Sequence, residues 1–189
     1  MFKNMDKRVQ AILGIVVFAG LIGAAHIIVS LDLIPAEDLI IIHDESEEAP
    51  PLPPAPDIMI LNEDGDEVYL STLLGRPVVL NFWATWCPSC GRESPYFEKM
   101  YHELGSEFEL LKVVLLDGRR ETQTTVDAFM TENNYTFPLH FDKTGDASRA
   151  YNVRFIPMTF FINSEGYIAA TIQGPASETT LRSGIEAII

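Results

Sequence analysis

The chain predicts an α/β fold, a central mixed sheet flanked by helices on both faces, carried behind an N-terminal transmembrane helix. The run Val78-Val79-Leu80-Asn81-Phe82-Trp83 is apolar on both alternating faces, as a strand covered on both sides must be, and residues 110–116 read as a second apolar strand. After the first run the spacing becomes helical, with Phe97, Met100, Tyr101 and Leu104 at i, i+3, i+4 and i+7. The last two strands are joined by Asn163-Ser164-Glu165-Gly166, a hairpin signal. Strands that alternate with helices and end in a hairpin describe a layered α/β domain.

Residues 9–31 are apolar apart from Gln10, His26 and Ser30. As a helix rising roughly 1.5 Å per residue they reach about 34 Å, enough to cross a hydrocarbon core of about 30 Å. Lys3, Lys7 and Arg8 precede this segment and acids follow it. The positive-inside rule therefore puts residues 1–8 in the cytoplasm and the bulk of the chain outside a cell membrane crossed once. A cleaved signal peptide ending near Gly23-Ala24-Ala25 is the competing reading, opposed by the apolar residues that continue past that point. His26, near the end of the span, reads as an interfacial side chain.

Residues 32–57 hold eight acids and no Lys or Arg, with Asp44-Glu45-Ser46-Glu47-Glu48 followed by Pro50-Pro51-Leu52-Pro53-Pro54. Charge clusters and proline runs build no core, so this is an extended extracytoplasmic linker. The patch Leu39 to Ile42 within it reads as a short strand or interfacial turn. The globular domain is expected over residues 58–189, where ten Lys and Arg face eighteen Asp and Glu. With a net charge of −14 over the whole chain and no basic patch, nucleic acid is excluded as a partner.

Within the domain, Ile58 to Leu61 and Val68 to Leu70 read as short strands around the acidic turn Asn62-Glu63-Asp64-Gly65-Asp66-Glu67. The turn lacks the terminal Glu of a calcium-binding EF-hand loop and is taken as solvated. The helix after residue 87 is expected to kink at Pro95 and to stop at Gly105 in a left-handed cap. A helix over 124–132, a strand over 138–141, a short helix over 147–151 and a last helix from the Ser177 cap to Ile189 complete the expectation.

Cys87 and Cys90 are the only cysteines, and they sit three apart at the junction of the first apolar run and the helix. At that spacing one helical turn brings the sulfurs together, so a reversible dithiol is the leading reading. Disulfide exchange proceeds through a thiolate, and a cysteine at a helix N-terminus has free backbone N–H groups and the positive end of the helix dipole to stabilise one. Pro88 suits the first helical position, where its missing N–H costs nothing. Cys87 is thus expected as the exposed nucleophile and Cys90 as the buried resolving thiol. A zinc site would need about four ligands, and His26, His43, His102 and His140 offer no paired spacing, so no metal is expected. A structural disulfide remains the bland alternative, weakened because so small a loop confers little chain-entropy stabilisation.

Asn81-Phe82-Trp83-Ala84-Thr85-Trp86-Cys87-Pro88-Ser89-Cys90, with Glu93 and Pro95 after it and Arg154-Phe155-Ile156-Pro157-Met158-Thr159 later, resembles the thioredoxin superfamily. Within it the chain is most similar to the membrane-anchored TlpA/ResA branch of thiol-disulfide oxidoreductases, over about residues 56–189. The resemblance implies a thioredoxin-like fold, a redox-active Cys87–Cys90 disulfide and no cofactor. It implies that Pro157 is cis and faces the dithiol, leaving the backbone of Ile156 to pair with an extended substrate, with Trp86 and Pro88 also at the substrate surface. An ordinary trans proline is the alternative at Pro157. The resemblance also puts Glu93 beneath the site, where it could hold a proton and deprotonate Cys90; a solvated helix acid is the alternative. Asn81 stands where cytosolic thioredoxins carry an aspartate and cannot titrate.

Ser89 stands where the branch usually has proline, and Gly91 where it usually has a basic residue, and residues near the cysteines help set redox potential. The expected function is an extracytoplasmic disulfide reductase acting on a disulfide-containing protein, with apocytochrome c implied by the family. Electrons would come from a transmembrane thiol donor. An oxidase or isomerase of the same fold is the alternative direction. A peroxiredoxin-like peroxidase needs threonine three positions before its reactive cysteine, where this chain has Ala84. A tethered binding module with an incidental dithiol is the non-enzymatic reading.

Overall fold

The computed structural model describes residues 51–189. The expected anchor over 9–31, the patch Leu39 to Ile42 and the linker up to residue 50 lie outside the described residues. Among the described residues no helix is long and apolar enough to cross a membrane.

The elements are β1 (Met59–Leu61), β2 (Glu67–Tyr69), β3 (Val78–Trp83), α1 (Pro88–Leu104), β4 (Glu109–Leu115), α2 (Gln123–Asn133), β5 (Leu139–Asp142), α3 (Asp146–Ala150), β6 (Met158–Ile162), β7 (Ile168–Gln173) and α4 (Glu178–Glu186). They form one mixed sheet in the order β2-β1-β5-β4-β3-β6-β7. β3, β4 and β5 run parallel, while β6 lies antiparallel to β3 and β7 antiparallel to β6. This is the thioredoxin-like α/β architecture, with the hairpin β6–β7 on one side of the central strand.

All six residues of β3 are buried, and their alternation divides the core. Val79 and Trp83 join a cluster with Phe97, Met100, Val114 and Phe161, whereas Val78, Leu80 and Phe82 join one with Leu111, Val113 and Phe160. α1 and α4 cover the first face. α4 sits so close to the sheet that a Cβ at Gly184 would overlap the ring of Phe161.

Several expectations are corrected. Leu70 belongs to a 3-10 turn, Leu70–Leu73, rather than to β2, although its N–H still donates to the Ile58 carbonyl at 3.1 Å in line with the β1–β2 pairing. Gly105 is right-handed (φ −62°, ψ −13°), since its N–H still bonds Tyr101 O at 3.0 Å and the chain continues in a turn. α4 starts at the Ser177 cap, whose hydroxyl accepts the Thr180 N–H, but ends at Glu186. Residues 53–57, expected as linker, are bonded to the domain. Ile168 N–H donates to Pro53 O at 2.9 Å, Ala55 N–H to Gly166 O at 2.8 Å, and Tyr151 Oη to Pro56 O at 3.0 Å.

Candidate active site

β3 ends at Trp83, and the chain turns once before Cys87 caps α1 with extended backbone (φ −87°, ψ 110°) and Pro88 occupies the first turn. That exit brings the two sulfurs together as a Cys87–Cys90 disulfide with the Cα atoms 5.3 Å apart. The Cys90 N–H donates to Cys87 Sγ at 3.2 Å, so an orphan donor of the helix N-terminus is aimed at the sulfur where negative charge develops on reduction. Cys90 has no accessible surface. Cys87, expected to be exposed, keeps only 5% in the disulfide form because Ile156 stands over it, its carbonyl oxygen 3.8 Å from Cys87 Sγ. The Ile156–Pro157 peptide is cis. Trp86 and Pro88 are exposed, Ile156 is half-buried and Pro157 is buried. Among the described residues, neither the N–H nor the carbonyl of Ile156 has a backbone partner.

Behind the dithiol lies a buried polar row set by sheet register. Asn81 on β3 is paired with Lys112 on β4 and Thr159 on β6, so the three side chains share the face that α1 covers. Glu93, one turn after Cys90, comes down onto this row and has no accessible surface. The Asn81 amide NH2 donates to Glu93 Oε1 at 3.1 Å and to Thr159 Oγ1 at 2.9 Å. Lys112 Nζ donates to Asn81 Oδ1 at 2.8 Å, and the Ala176 N–H to Glu93 Oε2 at 2.9 Å. Asn81 therefore links the cation to the carboxylate. The carboxylate bonds to Asn81 and Ala176, and to neither sulfur.

Burial raises the Glu93 pKa above the usual carboxylate range; the Lys112 charge, the Ala176 N–H and the Asn81 amide oppose that rise. Burial pushes the Lys112 ammonium down to about 7, opposed by the Glu93 charge. The ammonium also lies over the rings of Phe97 (4.1 Å), Trp83 (4.6 Å) and Phe137 (5.2 Å), an aromatic cage that favours its charged form. Lys112 and Thr159 were not singled out from sequence. The signal available was a lysine interrupting Leu110-Leu111-Lys112-Val113-Val114, a run where a charge has no solvated face.

A second buried carboxylate, Glu121, fixes the other side of the dithiol loop. Its Oε1 accepts the Thr85 N–H at 2.8 Å and its Oε2 the Thr85 hydroxyl at 2.7 Å. Burial raises its pKa against those two bonds. Glu121 lies in the polar stretch Asp117-Gly118-Arg119-Arg120-Glu121, which has no periodicity to mark an inward residue.

Residues 52–171 match the model of the AhpC/TSA family. The chain is similar to the thiol-disulfide oxidoreductase ResA of Oceanobacillus iheyensis, 40% identical over 64% of this chain and 63% of that protein. It is also similar to the sporulation thiol-disulfide oxidoreductase A of Bacillus subtilis, 32% identical over 75% of this chain and 85% of the relative. Among solved structures, the crystal structure of StoA from Bacillus subtilis superposes with a TM-score of 0.60 at 29% identity, covering 71% of this chain and 98% of that one.

Proposed function

The chain belongs to the AhpC/TSA family, as a thiol-disulfide oxidoreductase of the thioredoxin fold, and on that premise we propose that it is a disulfide reductase tethered to the outer side of a cell membrane. Residues 9–31 are the anchor in this reading, and the acids and prolines after them hold the domain off the bilayer. The substrate is a disulfide-containing protein, with apocytochrome c before haem attachment as the class the family resemblance suggests. A transmembrane thiol carrier supplies electrons.

The Cys87 thiolate attacks a substrate disulfide, forming a mixed disulfide and releasing one substrate sulfur as thiolate. Cys90 then loses its proton and attacks Cys87 Sγ, restoring the Cys87–Cys90 disulfide and releasing the second substrate sulfur. Two electrons pass to substrate in each cycle, and the membrane thiol donor returns them. An extended substrate segment pairs with the free backbone groups of Ile156 and is brought in line with Cys87, while Trp86, Pro88 and Pro157 shape its seat.

The observation that carries this reading is Glu93, a buried carboxylate of raised pKa one turn behind Cys90. Resolution of the mixed disulfide needs a base for a thiol that solvent cannot reach, and Glu93, three residues on along the same helix, is the buried carboxylate we assign to take that proton. A peroxidase reading has no such support, since Ala84 stands three positions before Cys87 and has no hydroxyl to activate peroxide.

Replacing Cys90 with alanine in the membrane-bound protein should leave partners trapped on Cys87 as mixed disulfides, recoverable by non-reducing electrophoresis and identified by mass spectrometry. Trapped secreted proteins with cysteine pairs support the reductase; an empty Cys87 during growth would sink it.

A further inference from the structure

A groove of about 200 Å³ opens beside the dithiol, lined by Trp86, Leu115, Val153, Arg154, Phe155 and Ile156. Trp86 and Phe155 are 44% and 51% exposed, and Ile156 ties this apolar surface to the reacting sulfur through its carbonyl contact with Cys87. The groove differs in charge from the domain around it. Residues 58–189 hold ten bases against eighteen acids, yet none of the lining residues is acidic. Arg154 lines one side, and the Arg120 guanidinium stacks 4.2 Å from the centre of the Trp86 ring. Arg154 donates to the neutral side chain of Asn152 and has no carboxylate partner among the described residues. Arg120 has one, Asp117 at 3.6 Å, in an exposed pair that holds little of its charge in place.

We propose that Arg120 and Arg154 make this groove a docking site for an extended, disulfide-bearing protein segment of defined chemistry. It carries an apolar residue beside its cysteine and an Asp or Glu within roughly three residues of it, at about 3.3 Å per residue. This rests on the disulfide reductase reading above. The apolar side chain packs against Trp86 and Phe155, and the carboxylate meets a guanidinium, whose planar fork suits two parallel hydrogen bonds. Charge complementarity selects this occupant. The acidic surface elsewhere repels an acidic segment at long range, but that repulsion is screened beyond about 10 Å at 0.1 M salt, whereas contact pairs in the groove are screened less.

The test uses the full-length protein in detergent micelles, reduced and freed of reductant, in single turnovers with matched peptides. Each peptide cysteine is capped as a mixed disulfide with 2-mercaptoethanol, beside a leucine, with Asp, Asn or Lys two positions away. One turnover oxidises the Cys87–Cys90 dithiol to the disulfide and reduces the mixed disulfide to peptide thiol and 2-mercaptoethanol. At about 0.1 M salt the Asp peptide should react roughly tenfold faster than the Lys peptide, with Asn between, and the ratio should collapse at about 1 M. Arg120→Gln combined with Arg154→Gln should bring the ratio near one, a comparison made within one variant and so independent of its folded fraction. Equal rates for the three peptides, a faster Lys peptide, or an unchanged ratio in the double variant overturns the docking site and leaves the reductase standing. Rates that fall as protein concentration rises would mean that a second copy fills the groove, and would also overturn it. No reduction of any peptide or of bis(2-hydroxyethyl) disulfide overturns the reductase reading itself.

Discussion

Glu93 and Lys112 are a carboxylate and an ammonium placed where water cannot solvate either, so each shifts toward its neutral form and the Asn81 amide carries the interaction between them. If Glu93 is the base for Cys90, Glu93→Gln should slow resolution of the mixed disulfide by about 10²-fold at neutral pH. Attack by Cys87 should change far less, a split that stopped-flow tryptophan fluorescence can follow. Lys112→Met removes the positive charge that favours the carboxylate, so the pH midpoint of the same step should move upward; an unmoved midpoint would mean that the two groups are not coupled. Stability carries the same signature. Because Glu93 titrates above its ordinary 4.5 when folded, the native state holds that proton more tightly between the two values, and stability falls as pH rises through that window. Lys112, folded at about 7 against an ordinary 10.5, binds fewer protons when native over that interval, so stability rises with pH there. Urea midpoints measured across pH should lose the first slope in Glu93→Gln and the second in Lys112→Met.

At the scale of elements, the dithiol is held by what ends β3 and begins α1, and the intervening turn is held by Glu121. Glu121→Ala would leave the Thr85 N–H and hydroxyl without their acceptors in a part-buried site. The expected cost is about 1–3 kcal/mol in urea unfolding, together with faster amide exchange at Thr85 and Trp86. The strands β3, β4 and β6, the helix α1 and the Ser177 cap were all legible in the sequence, because burial on both faces, the 3.6-residue spacing and a capping hydroxyl leave local marks. Gly105 was misread because a glycine after an apolar helical run signals a left-handed cap only when the chain reverses there, and here it continues in a turn toward β4. Lys112, Thr159 and Glu121 were missed for another reason. Their roles come from register and from a loop contact 36 residues away in sequence, and neither leaves a periodic trace.

Taken as a whole molecule, the domain begins before its first strand. Residues 53–57 bond to the β6–β7 turn, to Tyr151 and, through Asp57 Oδ1, to the Ser71 N–H at 2.9 Å. A chain begun at Ile58 should therefore be less stable than one begun at Pro51 by several hydrogen bonds of about 1 kcal/mol each, read from urea midpoints at matched pH. Equal midpoints would show those residues to be ornamental. What the sequence by itself determined was the α/β fold class and a Cys87–Cys90 pair at a strand-to-helix junction, because these follow from hydrophobic period and helix geometry. Only the tertiary structure decided that Glu93 is buried against a lysine through an asparagine, and that Ile156 rather than solvent covers Cys87. It alone decided that two arginines edge the groove beside the sulfurs. Those facts depend on which strands lie side by side and in what register, and side chains distant along the chain meet only after the sheet has formed.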